Sequence, residues 1–206
     1  MSPVRSLHFA LAGAFLFCLL SVVLAPVSAA PTVTISPSVP VIMPGQPVIV
    51  MIRNLTDGSR FVSTIDVQAT TTPGSPFRYG LNHVAVPFDL KKGVLSVQLS
   101  NVLSGRACQV TITKEDVTVT RKKAAKQEKW NTKFTGSPIT RGVYSAAVSG
   151  TAATGTVQMS YTISGRKIGP KNSSMVFRPA LRPFGIVQVS VWVDGTLIRQ
   201  QRIIVF

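Results

Sequence analysis

The residues best suited to chemistry are the cations between positions 114 and 141, with which Trp130 and Phe134 are interleaved. These cations are Lys114, Arg121, Lys122, Lys123, Lys126, Lys129, Lys133 and Arg141. Closely spaced cations attract phosphates, sulfates or carboxylates, and an aromatic ring adds a stacking face. We therefore predict a polyanion-binding surface with the contact residues Lys122, Lys123, Lys126, Lys129 and Trp130. The lysines would act through charge and Trp130 through stacking.

The same basic segment has a second interpretation as a solvated stretch of chain. Lysines on an edge strand keep it from pairing with other chains, and residues 124–129 could form a short helical turn. Positive charge is also spread over the whole sequence, which has 22 Lys and Arg residues against 7 Asp and Glu residues. Outside a cell the polyanion would be an acidic polysaccharide or an envelope component, and nucleic acid is not an expected partner.

Residue types needed for catalysis are scarce. His83 is the only histidine after residue 29, and no Ser or Cys motif lies beside it, although a serine triad or a cysteine dyad needs an imidazole base. The 7 acidic residues lie mostly where turns favour them, and no pair has the sequence signature of a glycosidase. We predict that the protein is not an enzyme.

Metal ligands and disulfides are equally scarce. One histidine, one cysteine and no calcium-binding loop follow residue 29, so we predict no metal and no cofactor. Cys108 has no partner for an intrachain disulfide once Cys18 leaves with the N-terminal segment. We expect Cys108 to be a small buried hydrophobic residue; the alternatives are an interchain disulfide and a reactive thiol.

Two sequons could accept N-linked glycans. Asn54 begins Asn-Leu-Thr, and Asn172 begins Asn-Ser-Ser. Both positions fall at predicted strand ends or loops, where a glycosylating enzyme would reach them. Asn54 could instead serve the turn at Asp57-Gly58.

The N-terminus carries an export signal. Arg5 precedes an apolar run over 7–25, and Val27-Ser28-Ala29 forms a small-residue cleavage site. We predict a signal peptide over residues 1–29 and a secreted or cell-envelope protein. The alternative is an uncleaved signal anchor, because the run approaches the ~20 residues that span a bilayer. The membrane would be a partner only through that segment.

Alternating apolar and polar residues dominate the remaining chain, and no stretch keeps apolar residues at a 3.6-residue spacing over three helical turns. The alternation predicts strands at 32–36, 47–53, 61–70, 84–88, 95–99, 107–113, 117–121, 139–149, 157–163, 175–178, 186–193 and 197–206. Turns are expected at Pro44-Gly45, Asp57-Gly58, Pro73-Gly74, Lys92-Gly93, Ser104-Gly105, Gly169-Pro170 and Asp194-Gly195. The proline-rich stretch 31–47 should be an edge strand, or alternatively a strand donated to a neighbouring subunit.

A change of phase near residue 115 predicts a boundary. Val110 and Ile112 place even positions inward, whereas Val117 and Val119 place odd positions inward. Glu115-Asp116 is therefore a turn, a bulge or a domain junction. We expect two tandem β-sandwiches, at residues 30–115 and 116–206, and the alternative is one larger sandwich.

The layout resembles immunoglobulin-like modules of secreted bacterial and archaeal surface proteins. The resemblance lies in Thr32-Val33-Thr34-Ile35-Ser36-Pro37, in Pro44-Gly45-Gln46-Pro47-Val48 and in Val191-Trp192-Val193-Asp194-Gly195-Thr196. It implies an antiparallel sandwich scaffold and transfers no site residues. We predict a structural or adhesive protein whose partners are other surface proteins. The alternatives are the polyanion-binding module and a self-assembling subunit that uses its proline-rich N-terminal strand.

Overall fold

The computed structural model describes residues 29–136, 139–181 and 184–206, and these contain strands and no helix. The strands are β1 (Thr32–Ser36), β2 (Val41–Ile42), β3 (Val48–Arg53), β4 (Arg60–Thr70), β5 (Pro76–Val86), β6 (Asp89–Ser100), β7 (Ala107–Lys114), β8 (Val117–Ala124), β9 (Lys129–Gly136), β10 (Gly142–Thr151), β11 (Thr156–Ile168), β12 (Ser173–Ala180), β13 (Gly185–Val193) and β14 (Thr196–Val205). The predicted all-β class is confirmed.

Two seven-stranded sheets enclose one hydrophobic core. The first sheet has the order β1-β3-β12-β5-β10-β7-β8, and the second has the order β2-β14-β13-β4-β11-β6-β9. Residues alternate between the core and the outer surface along the strands, as half-buried sheets require. Val187, Val189, Val191 and Val193 all face the core, as their alternation predicts.

The expected boundary near residue 115 is wrong, because strands from both sides of it share each sheet. In the first sheet β10 pairs with both β5 and β7, and in the second sheet β11 pairs with both β4 and β6. These ladders join early and late segments through backbone hydrogen bonds. The segments 30–115 and 116–206 therefore do not form separate sandwiches, and the strand order matches the larger single sandwich.

The turns show which local predictions succeed. Asp194 and Gly195 have φ values of 51° and 86°, as the predicted primed turn between β13 and β14 requires. Glu115-Asp116 is a two-residue hairpin turn between β7 and β8, with Lys114 opposite Val117. It explains the phase change without a domain junction. Lys92-Gly93 is not a turn, because both residues lie inside β6 where its register with β11 shifts.

Four edge strands border the two lateral sides of the sandwich. On one side lie β1 and β2, joined by residues 37–40; on the other lie β8 and β9, joined by residues 125–128. The proline-rich stretch thus supplies edge strands, as expected, and β1 pairs with β3 of its own chain.

Residues 1–28 of the predicted signal peptide lie outside the described residues. Within the part of the chain that the structure describes, no helix has the length and apolarity to cross a membrane.

Candidate functional site

A cavity of about 400 Å³ lies between the two sheets on the side of β8 and β9. Its walls come from β4, β6, β9 and β11 of one sheet and from β5, β7, β8 and β10 of the other. Most of the lining is apolar: Ile65, Leu81, Val84, Val86, Leu95, Ile112, Val117, Val119, Phe134, Ile139, Ala146 and Ile163. The size and lining are typical of small-molecule sites, which are mostly apolar clefts of roughly 300–1,000 Å³.

The two edge strands close one end of this lateral side. Near the turn, the indole Nε1 of Trp130 on β9 donates a hydrogen bond to the carbonyl oxygen of Lys123 on β8 at 3.1 Å. The Lys123 ammonium lies 5.5 Å from the Trp130 ring centroid, and the Arg121 guanidinium lies 6.0 Å from the Phe134 ring centroid. These contacts join the strands across the gap between the sheets.

The opposite end of this side is open. Val117 and Val119 line the cavity and yet remain 66% and 40% exposed, although both are apolar. In β8 they sit opposite Lys114 and Ile112 of β7. No contact of the kind made by Lys123 or Arg121 covers them among the described residues. The cavity therefore has its mouth where β8 and β9 are farthest from the turn.

The turn that joins β8 to β9 is tight and strained. Lys126 and Lys129 exchange two backbone hydrogen bonds of 2.9 Å each. Gln127 and Glu128 between them have φ values of 48° and 58°, the left-handed region that a type I′ turn needs. The predicted short helical turn at 124–129 is thus wrong. Non-glycine residues pay about 1 kcal/mol or more for this conformation, so the connection is held by the strands on either side.

Two of the polar side chains in the lining are buried. Ser63 is 1% exposed and Tyr161 is 4% exposed, and neither hydroxyl has a hydrogen-bond partner among the described residues. Tyr161 is opposite Ile65 in the ladder of β4 and β11, so Ser63 is its diagonal neighbour on the same face. Burial raises the pKa of Tyr161, so its phenol stays protonated and can donate a hydrogen bond.

Lys114 and Thr140 form the polar rim of the mouth. The Lys114 ammonium donates a hydrogen bond to Thr140 Oγ1, and it lies 3.9 Å from a carboxylate oxygen of Glu115. It also lies 5.5 Å from the Tyr144 ring centroid. The Tyr144 hydroxyl in turn donates to the Thr140 carbonyl oxygen at 2.8 Å. The rim thus carries a positive charge that is already partnered within the protein.

The predicted polyanion contacts do not share one surface. Lys122, Lys123, Lys126 and Lys129 are all exposed, as expected. Lys122 pairs with Gln109 on the outer face of the first sheet, whereas Lys129 pairs with Ser100 on the outer face of the second. Trp130 is 2% exposed and belongs to the core, so its predicted role as a stacking face is wrong. The ring faces inward because it sits opposite the buried Leu99.

The two predicted sequons meet at one end of the molecule. The Asn54 backbone N–H donates to the Asn172 side-chain oxygen at 3.0 Å, and Asn54 Nδ2 donates to the Ala30 carbonyl oxygen at 3.5 Å. Asn172 is exposed, whereas Asn54 is half-buried. The Asn172 amide nitrogen is the more accessible acceptor of the two for a glycan.

Other candidate groups do not assemble into a reactive site. Cys108 is buried, and burial raises the pKa of its thiol, which disfavours the reactive thiolate. His83 is exposed and has a φ of 54° where the register of β5 with β10 shifts. The described residues contain no group of three or more His, Cys, Asp or Glu side chains that could hold a metal ion.

Sequence reasoning missed the cavity because it treated residues 129–136 as a basic loop. Trp130, Thr132 and Phe134 alternate with polar residues, which is the signal of a strand with one inward face. These residues form β9 and lie opposite Leu99, Val97 and Leu95 of β6. That alternation was the available clue to a wall of the site.

Neither a protein-family model nor a curated protein matches this chain. Among solved structures, Spo0M, a sporulation control protein from Bacillus subtilis, aligns with 86% of this chain at 13% identity and a TM-score of 0.18. The aligned region covers 49% of that protein, so this chain spans about half of its length. A superposition this poor carries no argument about fold or function.

Proposed function

We propose that this protein is a non-catalytic binding protein that holds a small hydrophobic molecule between its two sheets. The observation that carries the proposal is the cavity of about 400 Å³, with its apolar lining and its mouth between β8 and β9. Protein interiors are packed as densely as organic crystals and contain few voids larger than a water molecule. A cavity of this size is therefore better explained as a binding site than as a packing defect.

The chemistry of the lining selects an apolar ligand. Each methylene group that such a ligand moves from water into the cavity contributes about 0.8 kcal/mol to binding. The charged groups of the lining, Lys114 and Glu115, both lie at the mouth. A molecule with charge in its buried part would meet no opposite charge there and would lose its hydration.

Filling the cavity tests this proposal. Ala146 is a buried lining residue on β10, and Ala147 is the next residue, on the outer face of the same strand. We expect wild-type protein to bind N-phenyl-1-naphthylamine saturably at one site, measured by the fluorescence of this neutral dye. Ala146→Phe should weaken binding at least about tenfold, because the added ring occupies the ligand's volume.

Ala147→Phe is the matched control and should bind the dye as wild type does. Circular dichroism and thermal unfolding should show that both variants fold. Wild-type protein without saturable binding would overturn the proposal, and so would a folded Ala146→Phe protein with unchanged affinity.

The functions predicted from the sequence remain compatible with ligand binding. Secretion or envelope attachment rests on residues 1–29, and the immunoglobulin-like type and the structural or adhesive role rest on the resemblance of the strand motifs. Polyanion binding is supported by the exposure of Lys122, Lys123, Lys126 and Lys129, without a contribution from Trp130. Self-assembly through the N-terminal strand would use the outer edge of β1.

A further inference from the structure

The hydroxyl groups of Ser63 and Tyr161 are the feature of the cavity that packing does not explain. Both oxygens are buried, both residues line the cavity, and neither hydroxyl finds a hydrogen-bond partner among the described residues. Most buried polar side-chain atoms in proteins do have a partner, because an unpaired one keeps its desolvation cost. Phenylalanine and alanine would fill the same positions without that cost. The two hydroxyls therefore indicate a partner that enters the cavity.

The surroundings limit the chemistry of that partner. The side chains around the hydroxyls are apolar, and they include Ile65, Ile163 and Leu95. A charged group would be desolvated there without an opposite charge, whereas a neutral oxygen costs much less to bury. The phenol of Tyr161 can donate to such an oxygen, and the Ser63 hydroxyl can donate or accept.

We propose that the ligand carries a neutral oxygen, as a carbonyl or hydroxyl group, in its buried part, where Tyr161 and Ser63 hydrogen-bond to it. This inference rests on the proposed function and adds the class of ligand: an oxygenated hydrophobic molecule rather than a hydrocarbon or an ion. Tyr161 and Ser63 then determine specificity, because they increase the affinity for a ligand that has an oxygen at their depth in the cavity. Lys114 at the rim is engaged by Thr140 and lies outside this buried part.

Two probes of nearly the same shape, only one of which carries an oxygen, measure the contribution of that oxygen to the affinity. We would measure the affinities of 2-acetylnaphthalene and 2-ethylnaphthalene by displacement of the bound dye. The ratio of the two affinities removes differences in cavity size that affect both probes. We expect Tyr161→Phe and Ser63→Ala each to lower the preference for the ketone about threefold to tenfold, the size of one net hydrogen bond. The affinity for 2-ethylnaphthalene should change little.

Tyr144→Phe is the matched control, because the Tyr144 hydroxyl lies at the rim and donates to the Thr140 carbonyl oxygen. It should leave the ratio unchanged. Without ligand, Tyr161→Phe should melt at the same or a higher temperature than wild type, because it removes an unpaired buried hydroxyl. A lost preference would then not result from unfolding.

The outcomes separate the two proposals. If both probes bind and the ratio is unchanged in Tyr161→Phe and Ser63→Ala, the inference about the oxygen is overturned and the hydrophobic site stands. If wild-type protein does not bind the dye saturably, the proposed function fails and the inference fails with it; if the dye binds and wild-type protein shows no preference for the ketone, only the inference is overturned.

Discussion

At the scale of single residues, a buried lysine joins two loops at the same end of the sandwich as the mouth. Lys167 is fully buried, and its Nζ donates to Asp57 Oδ1 and to the Gly169 carbonyl oxygen, both at 2.6 Å. The Gly169 backbone N–H also donates to Asp57 Oδ1, at 3.1 Å. The ion pair thus ties the Asp57-Gly58 turn to the end of β11. A lysine buried without such a partner would be strongly destabilising.

This pair makes stability depend on pH in the acid range. The side-chain hydrogen bond from Lys167 is the main cause that holds the pKa of Asp57 below its ordinary value of 3.8, and the Gly169 N–H also lowers it. A carboxyl group with a lowered folded-state pKa contributes stability above the unfolded-state pKa and loses it as the pH falls through the folded-state pKa. We expect the melting temperature to decrease as the pH is lowered below about 4.

Lys167→Met tests the contribution of this pair. The methionine side chain can occupy the apolar path of the lysine, and it removes the charge that stabilises the ionised carboxylate. The acid-induced fall in melting temperature between pH 5 and pH 3 should then be smaller than in wild type. Arg166→Met removes the neighbouring exposed cation and should leave the fall unchanged. Identical pH profiles for wild type and Lys167→Met would contradict the assignment.

At the scale of elements, β8 and β9 are two edge strands that differ in how far their side chains are buried. All eight residues of β8 are exposed, whereas β9 buries Trp130 against the core. The cations of β8 reach across the gap to the aromatic rings of β9, so the basic segment forms a side wall. Lysines on an edge strand generally discourage pairing with other chains, and the alternative interpretation of this segment stays a prediction.

Trp130→Ala should therefore reduce folding stability rather than the affinity for an anion. The loss of a buried tryptophan typically costs about 3–5 kcal/mol. Trp192 lies on the outer face of β13 and is half-buried, so Trp192→Ala should cost only about 1 kcal/mol. Urea unfolding measures both changes. A Trp130→Ala protein as stable as Trp192→Ala would show that Trp130 is not a core residue.

The elements also show how far sequence patterns reach. The hairpin of β13 and β14 was predictable because a regular alternation flanks a turn that needs positive φ at Asp194 and Gly195. The first half of β5 was missed because Pro76 and Gly80 interrupt its apolar alternation of Phe77, Tyr79 and Leu81. Both features are local, and local signals predict strands well when no breaker intervenes.

The candidate site was beyond these local signals. Ser63 and Tyr161 each read as ordinary inward positions of separate strands, and only the ladder between β4 and β11 places them on one face. The cavity also depends on which strands of the other sheet lie opposite them. Such pairings join residues far apart in the sequence, and the alternation within a strand does not specify its neighbours.

At the scale of the whole molecule, the interleaved strand order makes the sandwich one cooperative unit. We expect fragments 30–115 and 116–206, expressed separately, to lack a cooperative unfolding transition. In both sheets, strands of one fragment are hydrogen-bonded to strands of the other, so each fragment alone would lack these neighbours. In the first fragment, for example, β5 loses both of its neighbours, β10 and β12. The chain 30–206 should unfold in one transition by circular dichroism. A cooperative transition in either fragment would restore the tandem arrangement.

The strand order also determines when each strand can first pair during synthesis of the chain. The neighbours of β4 in its sheet are β11 and β13, so a strand that ends at Thr70 waits until residue 156 for its first partner. At translation rates of about 5–20 residues per second, this delay is roughly 4–20 s. During that time a strand rich in β-branched residues has unsatisfied edges in a crowded solution. Until then β4 lacks both of its final neighbours, although β6 and β9 of the same sheet have already been synthesised.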